Sequence, residues 1–163
     1  MAVTVTKAWT GKPFVWHTDK DGAHALVWSS TLYLEIINRD GKRQRIDVHF
    51  CGRDDVAGQG CFRCDGLSVP KPLRWFLPNW DDKNQLYNLA GALHDWLYAT
   101  VGAYKTFCRS ECDDIFRGIL RESGQSRFKA GAADYFVGLF AGNSRHWGRD
   151  EMHIQGMARM EFL

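Results

Sequence analysis

His94 and Asp95 stand side by side inside an apolar run, AGALHDWLYATVGAY, and Arg109, Asp113 and Asp114 follow about one helix's reach downstream. Imidazole and carboxylate groups are costly to bury among Leu, Trp, Tyr and Phe. A fold keeps them there when they satisfy one another, bind an ion or do chemistry. On a helix His94 and Asp95 project about 100° apart, whereas His94, Leu97 and Tyr98 share a face. Two helices joined by a short loop pack antiparallel, which sets Asp113 on the second opposite His94 on the first. A carboxylate that holds one imidazole nitrogen fixes the tautomer and leaves the other nitrogen free as a base.

In this reading His94 is a general base and Asp113 its orienter. Asp95, displaced by one residue, faces a metal ion together with Asp65, and Arg109, Tyr98 and Ser68 support the cluster. The cofactor it allows is a divalent cation such as calcium. Zinc suits it less, because one histidine is few for a catalytic zinc site. A structural reading stands beside it. Arg109 and Asp113 at i, i+4 can form a local ion pair that gains only ~0.3–0.5 kcal/mol. His94 can bond a backbone carbonyl, while Asp65 and Ser68 can cap turns. No Gly-x-Ser-x-Gly elbow surrounds Ser68, so nothing marks it as a nucleophile. Trp96 and Tyr98 suit a core better than a substrate platform. The other histidines, His17, His24, His49, His146 and His153, are scattered and receive no role.

The elements that must position these groups divide the chain into a β part and an α part. Ala2 to Trp9 alternates as a strand does, and His24 to Ile37 is rich in Val, Trp, Tyr, Leu and Ile. Asn38-Arg39-Asp40-Gly41 then turns the chain into Arg43 to Phe50, a hairpin signature. Asp19-Lys20-Asp21-Gly22 marks an earlier turn, and residues 51–60, CGRDDVAGQG, read as a loop. Pro70, Pro72 and Pro78 bound a short helical turn. A helix over Lys83 to Thr100, capped from Asn79 to Asp82 and ended by Gly102, aligns Leu86, Leu89, Ala90, Leu93 and Leu97. A second over Ser110 to Arg121 turns Ile115, Ile119 and Leu120 inward and stops at Ser123-Gly124. A third runs from Ser126 to Phe140. Strands followed by helices predict an α+β fold: an antiparallel ribbon or small sheet over 2–50, a three-helix part over 70–142 and an irregular apolar tail over 143–163, in one domain. The tail's Trp147, Met152, Ile154, Met157, Met160 and Phe162 call for docking on this domain or on a partner.

With 163 residues, 45% hydrophobic, the chain fills one core and is short for two. Its 21 basic and 19 acidic residues leave a net charge of +2 without a concentrated basic face, which argues against binding nucleic acid through phosphate neutralisation. No apolar run approaches the ~20 residues that span a bilayer. The start, MAVTVTKAW, lacks the pattern of a secretory signal, so synthesis in the cytoplasm is expected, with later export inside a larger particle left open. The five cysteines, Cys51, Cys61, Cys64, Cys108 and Cys112, suit reduced thiols. Cys61-x-x-Cys64 with Cys108-x-x-x-Cys112 is a poor zinc set, since its second pair sits on a helix and not in a tight turn. Small buried packing residues are the better expectation.

Three ordered segments resemble an uncharacterised family of phage and prophage proteins, a domain of unknown function. Its pattern reads Gly-Phe-x-Thr-Asp-x-x-Ser-x-Pro, then Ala-x-x-His-Asp-x-Leu-Tyr, then Arg-x-x-Ala-Asp. The matching segments are Cys61 to Pro70, Gly91 to Tyr98, and Arg109 to Asp113, and the likeness spans about residues 12 to 148. Departures are Cys61 for Gly, Cys64 for Thr and Cys112 for Ala, all small for small. The resemblance implies a phage origin, other phage proteins as partners, and a place in the host cytoplasm or in the virion. It brings no activity. The His-Asp pair on one helix, with an Asp on its neighbour and a Tyr shortly after, is also similar to phospholipase A2. That resemblance implies that the histidine activates water and the adjacent aspartate binds calcium. Its glycine-rich calcium loop is missing, because residues 79–90 contain no glycine.

Two functions follow as expectations. One is a non-catalytic virion or tail component, open to homo-oligomerisation, whose helical core carries the His/Asp cluster. The alternative is a metal-assisted hydrolase acting on an ester or on envelope material, with His94 as general base.

Overall fold

A computed structural model gives the fold. It describes residues 2–11, 16–18, 25–27, 30–50, 62–64, 67, 69, 71–104, 106–141 and 158–163. The turn expected at 19–22, the loop at 51–60 and the tail over 143–157 lie outside the described residues.

The α+β arrangement is as expected. A four-stranded antiparallel sheet is built from β1 (Thr4–Thr10), β4 (Ser30–Ile37), β5 (Arg43–Phe50) and β7 (Ala158–Phe162), in the order β1-β4-β5-β7. Three short strands, β2 (Trp16–Thr18), β3 (Ala25–Val27) and β6 (Phe62–Cys64), make a second antiparallel sheet. Helices α1 (Gln85–Tyr104), α2 (Arg109–Glu122) and α3 (Arg127–Ala141) follow, after a 3-10 turn at Lys71–Leu73 between the expected prolines.

The hairpin is written in its alternation. Leu32, Leu34 and Ile36 on β4 and Ile46, Val48 and Phe50 on β5 are all buried, and Leu32 lies opposite Val48, Leu34 opposite Ile46. At the tip the Asn38 side chain accepts from the amides of Asp40 and Lys42, both at 3.0 Å, and Gly41 takes φ 77°. Strand β structure also extends past residue 50. The end of the tail is not irregular: it forms β7, which pairs with β5 so that Met160 faces Val48. The expected docking of the apolar tail is thus realised for these residues within the chain itself.

Helix α1 starts two residues later and ends four residues later than the sequence suggests. Asn84, and not the Asn79–Asp82 segment, caps it, with Oδ1 accepting from the Tyr87 amide at 3.1 Å. Asn79 and Asp81 are used in turns instead, accepting from the amides of Val69 and Lys83. Gly102 does not stop the helix, which continues to Tyr104. Of the expected inward stripe, Leu89, Ala90, Leu93 and Leu97 are buried and Leu86 is partly buried. Asn84 Nδ2 also donates to the Ser123 carbonyl at 2.7 Å, tying the start of α1 to the end of α2. That bond and the short 105–108 link make the two helices antiparallel neighbours. Helix α2 ends at Ser123-Gly124 as expected: Gly124 takes φ 90°, and Gln125 donates its amide to the Leu120 carbonyl at 3.1 Å.

The helices cover the buried face of the large sheet, α2 lying on β1, with α1 and α3 both packed on α2 and β6 against α1. The α2–β1 contact is close because Gly118 has no side chain. A Cβ there would lie 2.6 Å from Val5 Cβ. Replacing Gly118 by Ala should therefore destabilise the fold by roughly 1–3 kcal/mol, although alanine is the better helix former. A thermal or urea unfolding midpoint equal to or above wild type would show that this contact is looser than described.

Candidate functional site

The site forms where the antiparallel register brings the middle of α1 to the first turns of α2. His94 is buried, its side chain 5% exposed, and Nε2 lies 3.1 Å from Asp113 Oδ1. The Tyr98 hydroxyl, one turn further along α1, donates to the same oxygen at 2.5 Å. Arg109 Nε donates to that hydroxyl at 3.3 Å, and its guanidinium stands 5.8 Å from the Tyr98 ring centre. The imidazole is walled by aromatic rings, with Tyr98 at 4.1 Å and Phe116 at 4.8 Å between centres. Asp113 is partly open to water, its side chain 24% exposed.

The directions of these bonds follow from chemistry. Arg109 can only donate, so it occupies a lone pair of the Tyr98 oxygen and turns the phenol proton toward Asp113. Burial alone would raise the Asp113 carboxyl. The hydrogen bonds from His94 and Tyr98, with the charges of His94 and Arg109, outweigh it and hold the group below the usual aspartate value. A carboxylate only accepts, so the proton between the two groups sits on His94 Nε2; whenever the ring is uncharged, its basic lone pair is on Nδ1. Burial, then the bond to Asp113, pushes the Tyr98 phenol well above the usual tyrosine range, so it remains a donor.

The structure thus brings together four of the expected residues: His94, Tyr98, Arg109 and Asp113. It corrects the role of Arg109, which contacts Tyr98 and supports Asp113 through it, in place of the expected local ion pair with Asp113. His94, offered by the structural reading to a helix end or a backbone carbonyl, instead meets Asp113 through Nε2. Asp95 is half-buried on α1 and engaged with a neighbour of its own. Asp65 and Ser68 lie outside the described residues. Among the described residues no three His, Cys, Asp or Glu side chains are grouped to hold a metal ion. Asp95 would need further ligands, so the described donors do not make a cation site.

Sequence reasoning missed Asp134 on α3. Arg117 Nη1 donates to its Oδ2 at 3.1 Å, and Arg117 Nη2 meets Asp114 in a very short contact, so α2 and α3 are clasped beside the cluster. Burial raises the Asp134 carboxyl, with Arg117 opposing and the charge of Asp113 adding to the rise. The signal available was an acid within a stretch of small residues, Ala130 to Ala133, where helices approach closely. Cys112 is buried as expected of a packing residue, and burial raises its thiol. Cys108, by contrast, is exposed at the start of α2, its amide bonded to Glu111 Oε2 at 2.7 Å. Glu111 also accepts from Arg39 at 2.9 Å, fixing the hairpin tip against that helix end.

The two shifted carboxyls act oppositely on stability. The folded Asp113 value is depressed, so its contribution is complete above the ordinary aspartate value of about 3.9 and is lost as the pH falls through the lower folded value. The folded Asp134 value is raised, so its contribution is present below about 3.9 and is lost as the pH rises through the folded value. Asp113→Asn should flatten the acid limb of the midpoint-versus-pH curve below about pH 4. An unchanged limb would remove Asp113 from the account of acid unfolding.

Comparison with known proteins places these residues. A family model described as a protein of unknown function, DUF1353, matches residues 46–136, more than half of the chain. The chain belongs to the DUF1353 family. The matched region of this DUF1353 protein takes in β5 from Ile46, then β6, α1, α2 and α3 as far as Phe136, and with them His94, Tyr98, Arg109, Asp113, Arg117 and Asp134. Strands β1, β4 and β7, which complete the large sheet around β5, fall largely or wholly outside it. No curated protein and no solved structure matches the DUF1353 chain.

Proposed function

We propose that this DUF1353 protein is a phage-encoded hydrolase of carboxylic esters, directed at envelope material. The supporting observation is the shared Asp113 oxygen that holds both His94 Nε2 and the Tyr98 hydroxyl. A carboxylate held on one imidazole nitrogen fixes the ring's tautomer and leaves the other nitrogen as a base. In the proposed step Nδ1 takes a proton from water, the hydroxide formed adds to the ester carbonyl, and the imidazolium is stabilised by the Asp113 carboxylate. The proton then passes from Nδ1 to the departing alkoxide as the carbonyl–oxygen bond breaks.

The reading is tested with p-nitrophenyl esters and phospholipid vesicles as substrates. Hydrolysis by the wild-type chain that disappears in both His94→Gln and Asp113→Asn, with unfolding midpoints preserved, supports it. Absence of hydrolysis across the panel, with and without added calcium, or activity retained in His94→Gln, overturns it.

A second reading, a non-catalytic virion or tail component, draws on a different observation. Among the described strands β7 lies at an edge of the large sheet, and Phe162 and Leu163 at its end are exposed. Unpaired strand edges of this kind recruit a neighbouring subunit. On that reading Phe162→Asp blocks incorporation into particles while His94→Gln does not; normal incorporation of Phe162→Asp would overturn it.

A further inference from the structure

Two aromatic side chains stand almost wholly in solvent on neighbouring elements. Trp75, just after the 3-10 turn, is 84% exposed, and Phe128, in the first turn of α3, is 77% exposed. They are parts of one surface: the half-buried Phe76 ring lies 5.8 Å from Trp75 and 5.9 Å from Phe128. Tyr135, 63% exposed, sits two turns beyond Phe128 on the same side of α3. Basic side chains accompany the rings, and the acidic Asp81, Asp82, Glu122 and Asp134 lie just beyond them in the chain. Residues 71–80 and 123–133 contain Lys71, Arg74, Arg127 and Lys129 and no acidic residue. Lys129 Nζ lies 5.3 Å from the centre of the Phe76 ring, and Lys71, Arg74 and Arg127 are exposed.

We infer that this surface docks the protein on a membrane face carrying anionic headgroups. Trp75 and Phe128 stand out from two different elements, and basic side chains accompany both. The fluid headgroup region accepts protruding rings without complementary shape, with Trp and Tyr at its polar level and basic side chains among the phosphates. No helix among the described residues is long and apolar enough to cross a membrane, so the association is peripheral. The inference is independent of whether His94 is catalytic, since it concerns binding alone. It does place the lipid beside the site, because α3 carries Phe128 and Tyr135 outward and turns Asp134 toward Arg117 of α2.

The test is co-sedimentation of the full chain with phosphatidylglycerol–phosphatidylcholine vesicles and with pure phosphatidylcholine vesicles. The expected result is binding to the first, at least tenfold weaker binding to the second, and weakening as salt is added. A Trp75→Ala/Phe128→Ala double variant should lose at least tenfold in binding while keeping its unfolding midpoint. Three results would overturn the inference. They are no binding to either vesicle, equal binding by the double variant, and a patch that instead mediates self-association or holds single-stranded nucleic acid.

Discussion

His94→Gln should lower the rate of ester hydrolysis by about 10²- to 10⁴-fold, the usual contribution of a positioned general base. Glutamine is the informative replacement because its amide nitrogen can take the place of Nε2 and still donate to Asp113. The hydrogen bond to the carboxylate, and with it the packing of α1 on α2, is then kept while the basic lone pair of Nδ1 is lost. Steady-state kinetics should show the loss mainly in kcat, since the imidazole acts on water during the reaction and contributes little to substrate binding. An equal loss in His94→Gln and in a variant remote from the cluster would mean that the assay reports folding and not chemistry.

The largest expected stability effect comes from Asp113→Ala. It strips a single acceptor from two buried donors, the imidazole of His94 and the hydroxyl of Tyr98. Leaving each buried donor unsatisfied costs about 1–3 kcal/mol, so a loss of roughly 2–4 kcal/mol is expected once some water reaches the partly exposed position. Asp113→Asn keeps an oxygen in place and should cost about 1 kcal/mol or less. Denaturant unfolding of the two variants checks this. If alanine and asparagine destabilise equally, the carboxylate does not hold the two donors in the way the distances indicate.

How much of this was legible beforehand depended on how local each signal is. The hairpin could be read directly because alternation along Leu32 to Phe50 and the Asn-Arg-Asp-Gly turn act within a few residues. The pairing of His94 with Asp113 was legible because helical spacing and a short link fix the antiparallel register. Other features depended on partners far along the chain. Gly102 would end a helix on its own, yet α1 passes through it to Tyr104. Asn79 and Asp81 have the chemistry of caps but serve turns, and Asn84 took the cap because it also reaches the Ser123 carbonyl. β7 is only five residues long and gains its ladder from β5, more than a hundred positions earlier. Asp134 carried no local signal, because its partner Arg117 lies on another helix, 17 positions earlier. The pull of Arg109 toward Tyr98 was hidden for a simpler reason: i, i+4 spacing suggests a partner on the same helix, and the ring on α1 competes better.

The ring nitrogens of His94 report most directly on the central claim. A long-range ¹⁵N–¹H correlation spectrum of the uniformly labelled chain, recorded on the basic side of neutrality, distinguishes a protonated from an unprotonated nitrogen in each histidine. The account predicts that His94 carries its proton on Nε2, toward Asp113, with Nδ1 unprotonated, and that Asp113→Asn disturbs this pattern. A His94 ring protonated on Nδ1, with Nε2 as the acceptor, would contradict it.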